Sequence, residues 1–282
     1  MTSAITANNL SVKFADNPVL NDISFEVQNG TVFGLLGPSG AGKTTLIKLL
    51  TGQLRQDSGT AELLGTDTRK LTYLEHAQIS AMLDNYGLYD RLSVYDNLSF
   101  YADIYRVSRG TIVDTLKSIG LYEARSTAVS KLSKGMKNRL SLARALMNDA
   151  KILFLDEPTS GLDPATTKEI HSILAEQKKK GTTIFLTTHN MFEAESLCDC
   201  VALLSRGNII EYGRPKDICR KYNQLNKLHI TLKDGKEIML ENNSTSALAV
   251  KDYLEKNMID TIHSTEPTLE TAFIELTGRG LE

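Results

Sequence analysis

Residues 37 to 45 combine glycines, a lysine and two threonines at a spacing that suits phosphate chemistry. The stretch that fits the pattern G-x-x-x-x-G-K-[ST] is Gly37-Pro38-Ser39-Gly40-Ala41-Gly42-Lys43-Thr44-Thr45. A glycine-rich backbone lets successive N–H groups converge on phosphate oxygens without Cβ clashes, and a helix start favours the anion. The pattern therefore predicts that Lys43 reaches the β and γ phosphates of a nucleotide and that Thr44 holds Mg²⁺.

The elements on either side of this loop favour a nucleotide site over a purely structural turn. Residues 31–36 form an apolar run typical of a buried strand, and apolar residues recur at helical spacing over residues 43–50. Phosphate-binding loops join a strand to a helix, so the sequence context matches the pattern.

A pair of carboxylates follows a second predicted strand. The strand over residues 151–155 leads directly into Asp156 and Glu157. Ligands of parallel sheets bind at the carboxyl ends of the strands. We expect Asp156 to bind in the Mg²⁺ shell and Glu157 to polarise the attacking water. A solvated loop start is the alternative, and the upstream phosphate loop argues against it.

Three further segments carry polar groups suited to the same chemistry. Residues 132–136 open a helical run over residues 137–147, which puts a serine hydroxyl and a glycine backbone at a helix N-terminus. Residues 160–163 predict a turn, and a buried strand over residues 182–188 ends in His189.

In this order the segments resemble the ATP-binding cassette family, the nucleotide-binding subunits of ABC transporters, over nearly all of residues 5 to 220. The resemblance makes residues 37–45 the Walker A loop and residues 132–136 the signature motif. It makes Asp156 and Glu157 the Walker B pair and His189 the switch histidine. Residues 160–163 become the D-loop, and its Asp163 is counted among the ATP-binding residues.

The resemblance also places Phe14 where the family has an aromatic ring that stacks on adenine. Taken alone, this residue is more simply explained by packing within a strand. The family further implies that Lys43, Glu157 and His189 take part in hydrolysis, with ATP and Mg²⁺ as cofactors.

The signature motif departs from the family's usual Leu-Ser-Gly-Gly-Gln. It reads Leu132-Ser133-Lys134-Gly135-Met136. Ser133 and Gly135, which the family uses to contact ATP held by the partner subunit, are retained. Lys134 is expected to add a cation close to that phosphate.

The Q-loop departs as well. Asp84 aligns with the glutamine that, in the family, bonds Mg²⁺ and senses the membrane domain. An aspartate is an anionic Mg²⁺ ligand with one methylene fewer, so we expect it to contact the metal differently or through water. Asn85 fills the role if the register is shifted by one residue.

These two loops and the tail look like a subgroup of bacterial exporters that includes bacitracin-resistance, daunorubicin-resistance and lantibiotic-immunity systems. The implied function is an ATPase that powers an exporter of drugs or antimicrobial peptides. Its expected partners are a second ATPase subunit, as a head-to-tail homodimer, and integral membrane permease subunits. The alternative is a soluble ABC-family protein that acts mechanically on ribosomes or DNA.

Composition indicates an intracellular subunit. The 282 residues are 41% hydrophobic and carry a net charge of −2. No apolar run approaches the roughly 20 residues that span a bilayer, and we expect no signal peptide at the N-terminus. We therefore expect a cytoplasmic protein held at the inner face of the membrane by its permease. The longest basic tract is Lys178-Lys179-Lys180, so nucleic acid is not expected as a partner.

The expected fold class is α/β: a P-loop ABC ATPase core with an antiparallel β part and a helical subdomain, followed by a small α+β extension. The ATPase domain is predicted over residues 1–220, with the helical subdomain at about 84–135. In the extension, residues 221–282, the pattern predicts a hairpin around Asp234-Gly235, a helix over 247–257 and a strand over 259–264. A closing helix begins at Pro267 and ends at Gly278.

Overall fold

The computed structural model describes residues 3–83, 87–222, 227–264 and 267–278. The chain divides into two compact units, and the boundary between them lies after Arg214. The helix that begins at Pro215 therefore belongs to the second unit, six residues before the boundary expected from the sequence.

The first unit alternates strands and helices. Its strands are β1 Ser3–Phe14, β2 Asn17–Gln28, β3 Val32–Leu36, β4 Ser58–Leu63, β5 Thr66–Asp67, β6 Ile79–Met82, β7 Ile152–Asp156, β8 Thr183–Thr188, β9 Cys200–Ser205 and β10 Asn208–Gly213. Its α-helices are α1 Lys43–Leu50, α2 Tyr73–His76, α3 Val94–Tyr105, α4 Arg109–Ser118, α5 Lys134–Leu146, α6 Pro164–Lys179 and α7 Met191–Leu197. Short 3₁₀ turns cover Thr68–Lys70 and Val129–Lys131.

Two sheets organise these strands. A six-stranded sheet has the order β10-β9-β3-β8-β7-β6, and all its neighbours are parallel except β10 with β9. A four-stranded antiparallel sheet has the order β2-β1-β4-β5. Every residue of β3, β7 and β8 is buried, as expected for the central strands of a covered parallel sheet. The α/β core with an antiparallel part is confirmed.

The parallel pairing aligns the ends of three strands. Leu36 of β3 pairs with Thr188 of β8, and Asp156 of β7 pairs with Thr187 of the same strand. The loops after β3, β8 and β7 therefore leave the sheet side by side. This single edge carries the phosphate loop, His189 and Glu157.

A row of aromatic rings joins the two sheets. Phe25 of β2 stacks on Phe33 of β3, with ring centroids 5.2 Å apart. Phe185 of β8 lies 5.2 Å from Phe33, 6.0 Å from Phe25 and 5.5 Å from Phe154 of β7. The Phe185 ring thus contacts the three other rings and links the antiparallel sheet to the strands that end at the site.

Helices α3, α4 and α5 share a second apolar core. Ser93 and Ser108 cap the first two helices through their hydroxyl oxygens. Helix α5 begins at Lys134, three residues earlier than expected, because the hydroxyl of Ser133 accepts a hydrogen bond from the Met136 backbone and caps the helix there. Helices α3 and α4 lie within the helical subdomain expected at about residues 84–135.

The second unit contains α8 Pro215–Lys221, β11 Lys227–Leu232, β12 Glu237–Glu241, α9 Ala247–Glu255, β13 Ile259–Ser264 and α10 Leu269–Thr277. Its antiparallel sheet has the order β12-β11-β13. The predicted hairpin, strand and closing Gly278 cap are confirmed. The last helix begins at Leu269, two residues after the expected start at Pro267, because the hydroxyl of Thr268 accepts a hydrogen bond from the Thr271 backbone and caps the helix there.

Among the residues that the structure describes, no helix is both long and apolar enough to cross a membrane.

The aromatic row yields a stability prediction. Phe185→Ala should lower the free energy of unfolding by about 3–5 kcal/mol, because it removes a fully buried ring and leaves a cavity. Urea denaturation measures the loss. Phe192→Ala is the control, since its ring is 80% exposed and should change stability by no more than about 0.5 kcal/mol. Equal effects of the two substitutions would contradict the role given to the row.

Candidate active site

Close packing of the backbone explains two glycines of the phosphate loop. A Cβ on Gly37 would collide with the carbonyl oxygen of Leu204. Gly42 has a φ of +111°, and a Cβ there would lie 2.7 Å from a Leu20 methyl carbon. These positions let the loop turn tightly between β3 and the first residue of α1.

Lys43 begins α1 and points back under the loop. Its side chain is only 6% exposed. Its Nζ donates to the carbonyl oxygens of Gly37 and Pro38 at 2.6 and 3.2 Å, and lies 3.1 Å from Oε1 of Glu157. The loop thus holds the ammonium group at a fixed place beside the second carboxylate of the pair.

Asp156 ties α1 to β8. Its Oδ2 accepts a hydrogen bond from Thr44 Oγ1 at 2.7 Å, and its Oδ1 accepts one from the hydroxyl of Thr187. The residue is 4% exposed, so these hydrogen bonds offset the cost of burying a carboxylate.

Glu157 adopts a backbone conformation that is uncommon outside glycine. Its φ is +49°, and its N–H donates to the Thr187 carbonyl oxygen at 3.1 Å. The turn directs the carboxylate between two groups: Oε1 faces Lys43, and Oε2 accepts from Nδ1 of His189 at 2.8 Å. Residues from the ends of all three strands therefore meet at one carboxylate.

Two cavities flank this carboxylate pair. The first has a volume of about 320 Å³ and is lined by Val19, Ser39, Gly40, Gly42, Lys43, Thr44, Thr45, Asp156 and Glu157. The second, of about 200 Å³, is lined by Met82, Leu83, Lys134, Asn138, Asp156, Glu157 and Ser160. The first cavity brings together most of the predicted phosphate loop and both carboxylates.

The donor set of the first cavity fits Mg²⁺. This cation prefers carboxylate and hydroxyl oxygens. Thr44 Oγ1 and Asp156 Oδ2 lie 2.7 Å apart, with the phosphate loop beside them. A nucleotide held by that loop would complete an oxygen shell at this point.

The remaining predicted residues of the loop occupy supporting positions. The Pro38 carbonyl oxygen accepts from the Ala41 N–H at 3.2 Å as well as from Lys43, and Ala41 itself is buried. Ser39 and Gly40 are exposed at the mouth of the first cavity.

The signature residues lie apart from the first cavity. Ser133 is exposed at the start of α5, and Gly135 is half-buried against Thr166. The ammonium group of Lys134 lies where a side chain on Gly161 would sit, and it lines the second cavity with Glu157. In the single subunit this cation therefore faces its own D-loop.

Asp163 and Phe14 also lie outside the set that lines the first cavity. Asp163 caps α6 by accepting from the Ala165 and Thr166 N–H groups, and bonds from Thr166 hold its pKa below the usual value. Phe14 is the last residue of β1, and 49% of its surface is exposed. Packing within the strand therefore does not account for an aromatic residue at this position. Asp84 and Asn85 fall outside the described residues.

A buried glutamate next to the site was missed by the sequence reasoning. Glu193 is 1% exposed and accepts hydrogen bonds from Thr159, His171 and Thr188. The available signal was an acidic residue amid the apolar residues Met191 and Ala194 of a short helix.

Comparisons with known proteins show which family the chain belongs to. The family model described as "ABC transporter" matches residues 20–160. The Fluoroquinolones export ATP-binding protein of Mycobacterium tuberculosis is 37% identical, over 99% of this chain and 95% of its own length. The Nod factor export ATP-binding protein I of Rhizobium meliloti is 40% identical, over 76% of this chain and 65% of its own length.

A solved structure is also similar. It is titled cbiO1 from Clostridium perfringens, part of an ABC transporter complex. It has a TM-score of 0.69 and 28% identity, covering 80% of this chain and 95% of that one. The family match, the full-length relative and the shared fold point the same way: this chain belongs to the ABC transporter family and is one of its ATP-hydrolysing nucleotide-binding subunits.

Proposed function

We propose that the first cavity is the site at which this subunit binds and hydrolyses MgATP. The observation that carries the proposal is the Glu157 carboxylate, held between Lys43 and His189 beside the Thr44–Asp156 pair. Phosphoryl transfer depends mainly on positioning and on charge stabilisation. The convergence of these five side chains supplies both.

Each residue takes a distinct part. Lys43 exchanges the loop carbonyls it now bonds for β and γ phosphate oxygens. Thr44 and Asp156 hold Mg²⁺, which neutralises charge on those phosphates. Glu157 accepts a hydrogen bond from the attacking water, and His189 fixes the carboxylate while facing the γ phosphate. Phe14, exposed at the end of β1, is proposed to stack on adenine.

We propose further that two subunits pair head to tail. Ser133 and Gly135 lie outside the cavity that their own chain forms, and the Ser133 hydroxyl is exposed at the N-terminus of α5. A helix N-terminus attracts phosphate, so these residues suit ATP held by the opposite subunit. We propose that Asp163 lies at the same interface; within its own chain it caps α6 and so fixes the end of the D-loop.

The names of the relatives support a proposal for the membrane partner and for the transported substrate. The Mycobacterium protein is named for fluoroquinolone export and the Rhizobium protein for Nod factor export. We propose that this subunit associates with a permease at the inner face of the membrane and powers export of a drug or antimicrobial peptide. These relatives favour that function over a soluble ABC protein acting on ribosomes or DNA.

The assignment of Glu157 gives the first functional prediction. Glu157→Gln should bind MgATP with unchanged affinity but lower kcat by about 10²–10⁴-fold, because the amide cannot take a proton from water. ATPase assays and size-exclusion chromatography with ATP measure the loss and the resulting trapped dimer. Wild-type turnover in this variant would contradict the role.

The composite site gives a second prediction. Lys43→Ala and Ser133→Arg chains, each inactive alone, should regain partial ATPase activity when mixed. The mixed dimer then contains one intact site and one that carries both lesions. Background activity in crosslinked mixed dimers that also fail to trap one ATP would contradict the head-to-tail arrangement.

The Q-loop gives a third prediction. Asp84→Ala should preserve ATP binding yet uncouple hydrolysis from transport in vesicles that contain the permease, because this loop is proposed to link the metal to the membrane subunit. Asn85→Ala is the matched comparison. Normal transport by Asp84→Ala together with loss in Asn85→Ala would assign the role to Asn85.

A further inference from the structure

Glu193 on α7 is a buried carboxylate that accepts three side-chain hydrogen bonds. Its Oε1 accepts from Thr159 Oγ1 at 2.6 Å and from His171 Nε2 at 3.0 Å. Its Oε2 accepts from Thr188 Oγ1 at 2.8 Å. All the donors are side chains, and they come from three separate parts of the chain.

The surroundings of Glu193 are suited to the ionised form. Burial acts to raise the pKa of this carboxyl, but hydrogen bonds from His171, Thr159 and Thr188 outweigh burial and leave the pKa below its usual value. The group therefore stays a carboxylate that only accepts hydrogen bonds. The side-chain amide of a glutamine at this position would turn its NH₂ group toward one set of these donors, and an NH₂ group cannot accept their hydrogen bonds.

Two of the three donors lie next to the pair proposed for hydrolysis. Thr159 follows Glu157 by two residues, and Thr188 immediately precedes His189. The Thr188 hydroxyl also accepts from the Asn190 N–H at 3.0 Å, so both sides of His189 are fixed. One carboxylate thus ties the segment that carries Glu157 to the segment that carries His189.

The same carboxylate holds the D-loop at both ends. Thr159 directly precedes residues 160–163, and His171 lies about two turns into the helix α6 that follows them. A displacement of the D-loop that moves Thr159 or the start of α6 would therefore strain a hydrogen bond to Glu193. The proposed hydrolytic residues lie close by along the chain, since His189 directly follows Thr188 and Glu157 precedes Thr159 by two residues.

We propose that Glu193 is a positioning residue that sets the Glu157–His189 contact and couples it to the D-loop. The inference rests on the hydrolytic roles proposed for Glu157 and His189. Glu193 touches neither of these side chains directly; it acts through Thr159 and Thr188. Its loss should thus slow the chemical step while leaving ATP binding by the phosphate loop intact.

Thr159 offers the sharper test, because a small change there removes one hydrogen bond without removing the buried charge. Thr159→Val keeps the volume and loses the hydroxyl, whereas Thr159→Ser keeps the hydroxyl. Thr159→Val should lower kcat by about tenfold or more, since small misplacements of catalytic groups slow reactions strongly. Its KM for ATP should stay within about twofold, and Thr159→Ser should recover at least half of the lost activity.

Two further variants provide a second test and a control. Glu193→Gln should show the same split between kcat and KM as Thr159→Val. Glu176→Gln is the control for removing a carboxylate: it lies on the same helix as His171, its side chain is 62% exposed, and its activity should match wild type. Nucleotide binding and thermal unfolding of each variant show whether the fold is retained.

A double variant with His189→Ala shows whether Thr159 acts by positioning His189 or by supporting the fold in general. In a His189→Ala background, single-turnover measurements should show no further slowing by Thr159→Val, because the contact it sets is already gone. Wild-type kcat in Thr159→Val, a parallel rise in KM, or a full additional loss in the His189→Ala background would overturn the inference. Should Glu157→Gln and His189→Ala turn over normally, the proposed site fails instead.

Discussion

The parallel pairing of β3, β8 and β7 is the constraint on which the site depends. With Leu36 opposite Thr188 and Asp156 opposite Thr187, the three loops that carry the chemistry leave the sheet at one edge. A shift of one residue in either register would turn Asp156 or Thr187 to the wrong face. The aromatic row through Phe185 packs the antiparallel sheet against these strands and so supports that register.

The carboxylates at this edge are stabilised by specific hydrogen-bond and ion-pair partners rather than by contact with solvent. Asp156 is bonded to two threonine hydroxyls, Glu157 lies between a lysine and a histidine, and Glu193 is bonded by two threonines and a histidine. Buried carboxylates without such partners would be protonated or would destabilise the fold. In β8, the Thr187 hydroxyl donates to Asp156 and the Thr188 hydroxyl donates to Glu193. The Glu157 carboxylate is bonded by His189, the residue that follows β8.

Contiguous patterns were predictable from the sequence, whereas long-range contacts were not. The phosphate loop and the Asp156–Glu157 pair are read from local residues that follow apolar strands. The sequence pattern predicts the start of α5 three residues too late, because Lys134 to Met136 lack apolar residues at helical spacing. The Ser133 cap is a local signal for the observed start. The Glu193 cluster joins residues separated by up to 34 positions, and only the packing of α6 and α7 on β8 brings them together. Lys134 likewise meets Gly161 only in the folded chain.

We infer that Lys43, Thr44, Asp156, Glu157 and His189 form one half of a MgATP hydrolysis site. A crystal structure of Glu157→Gln with MgATP is the decisive measurement. We expect Mg²⁺ at Thr44 Oγ1 beside Asp156, with the γ phosphate in hydrogen-bond reach of Lys43 and His189. We also expect Ser133 of the partner subunit on the far side of that phosphate. A nucleotide whose γ phosphate lies away from Lys43, or a metal held by other residues, would contradict the proposed site.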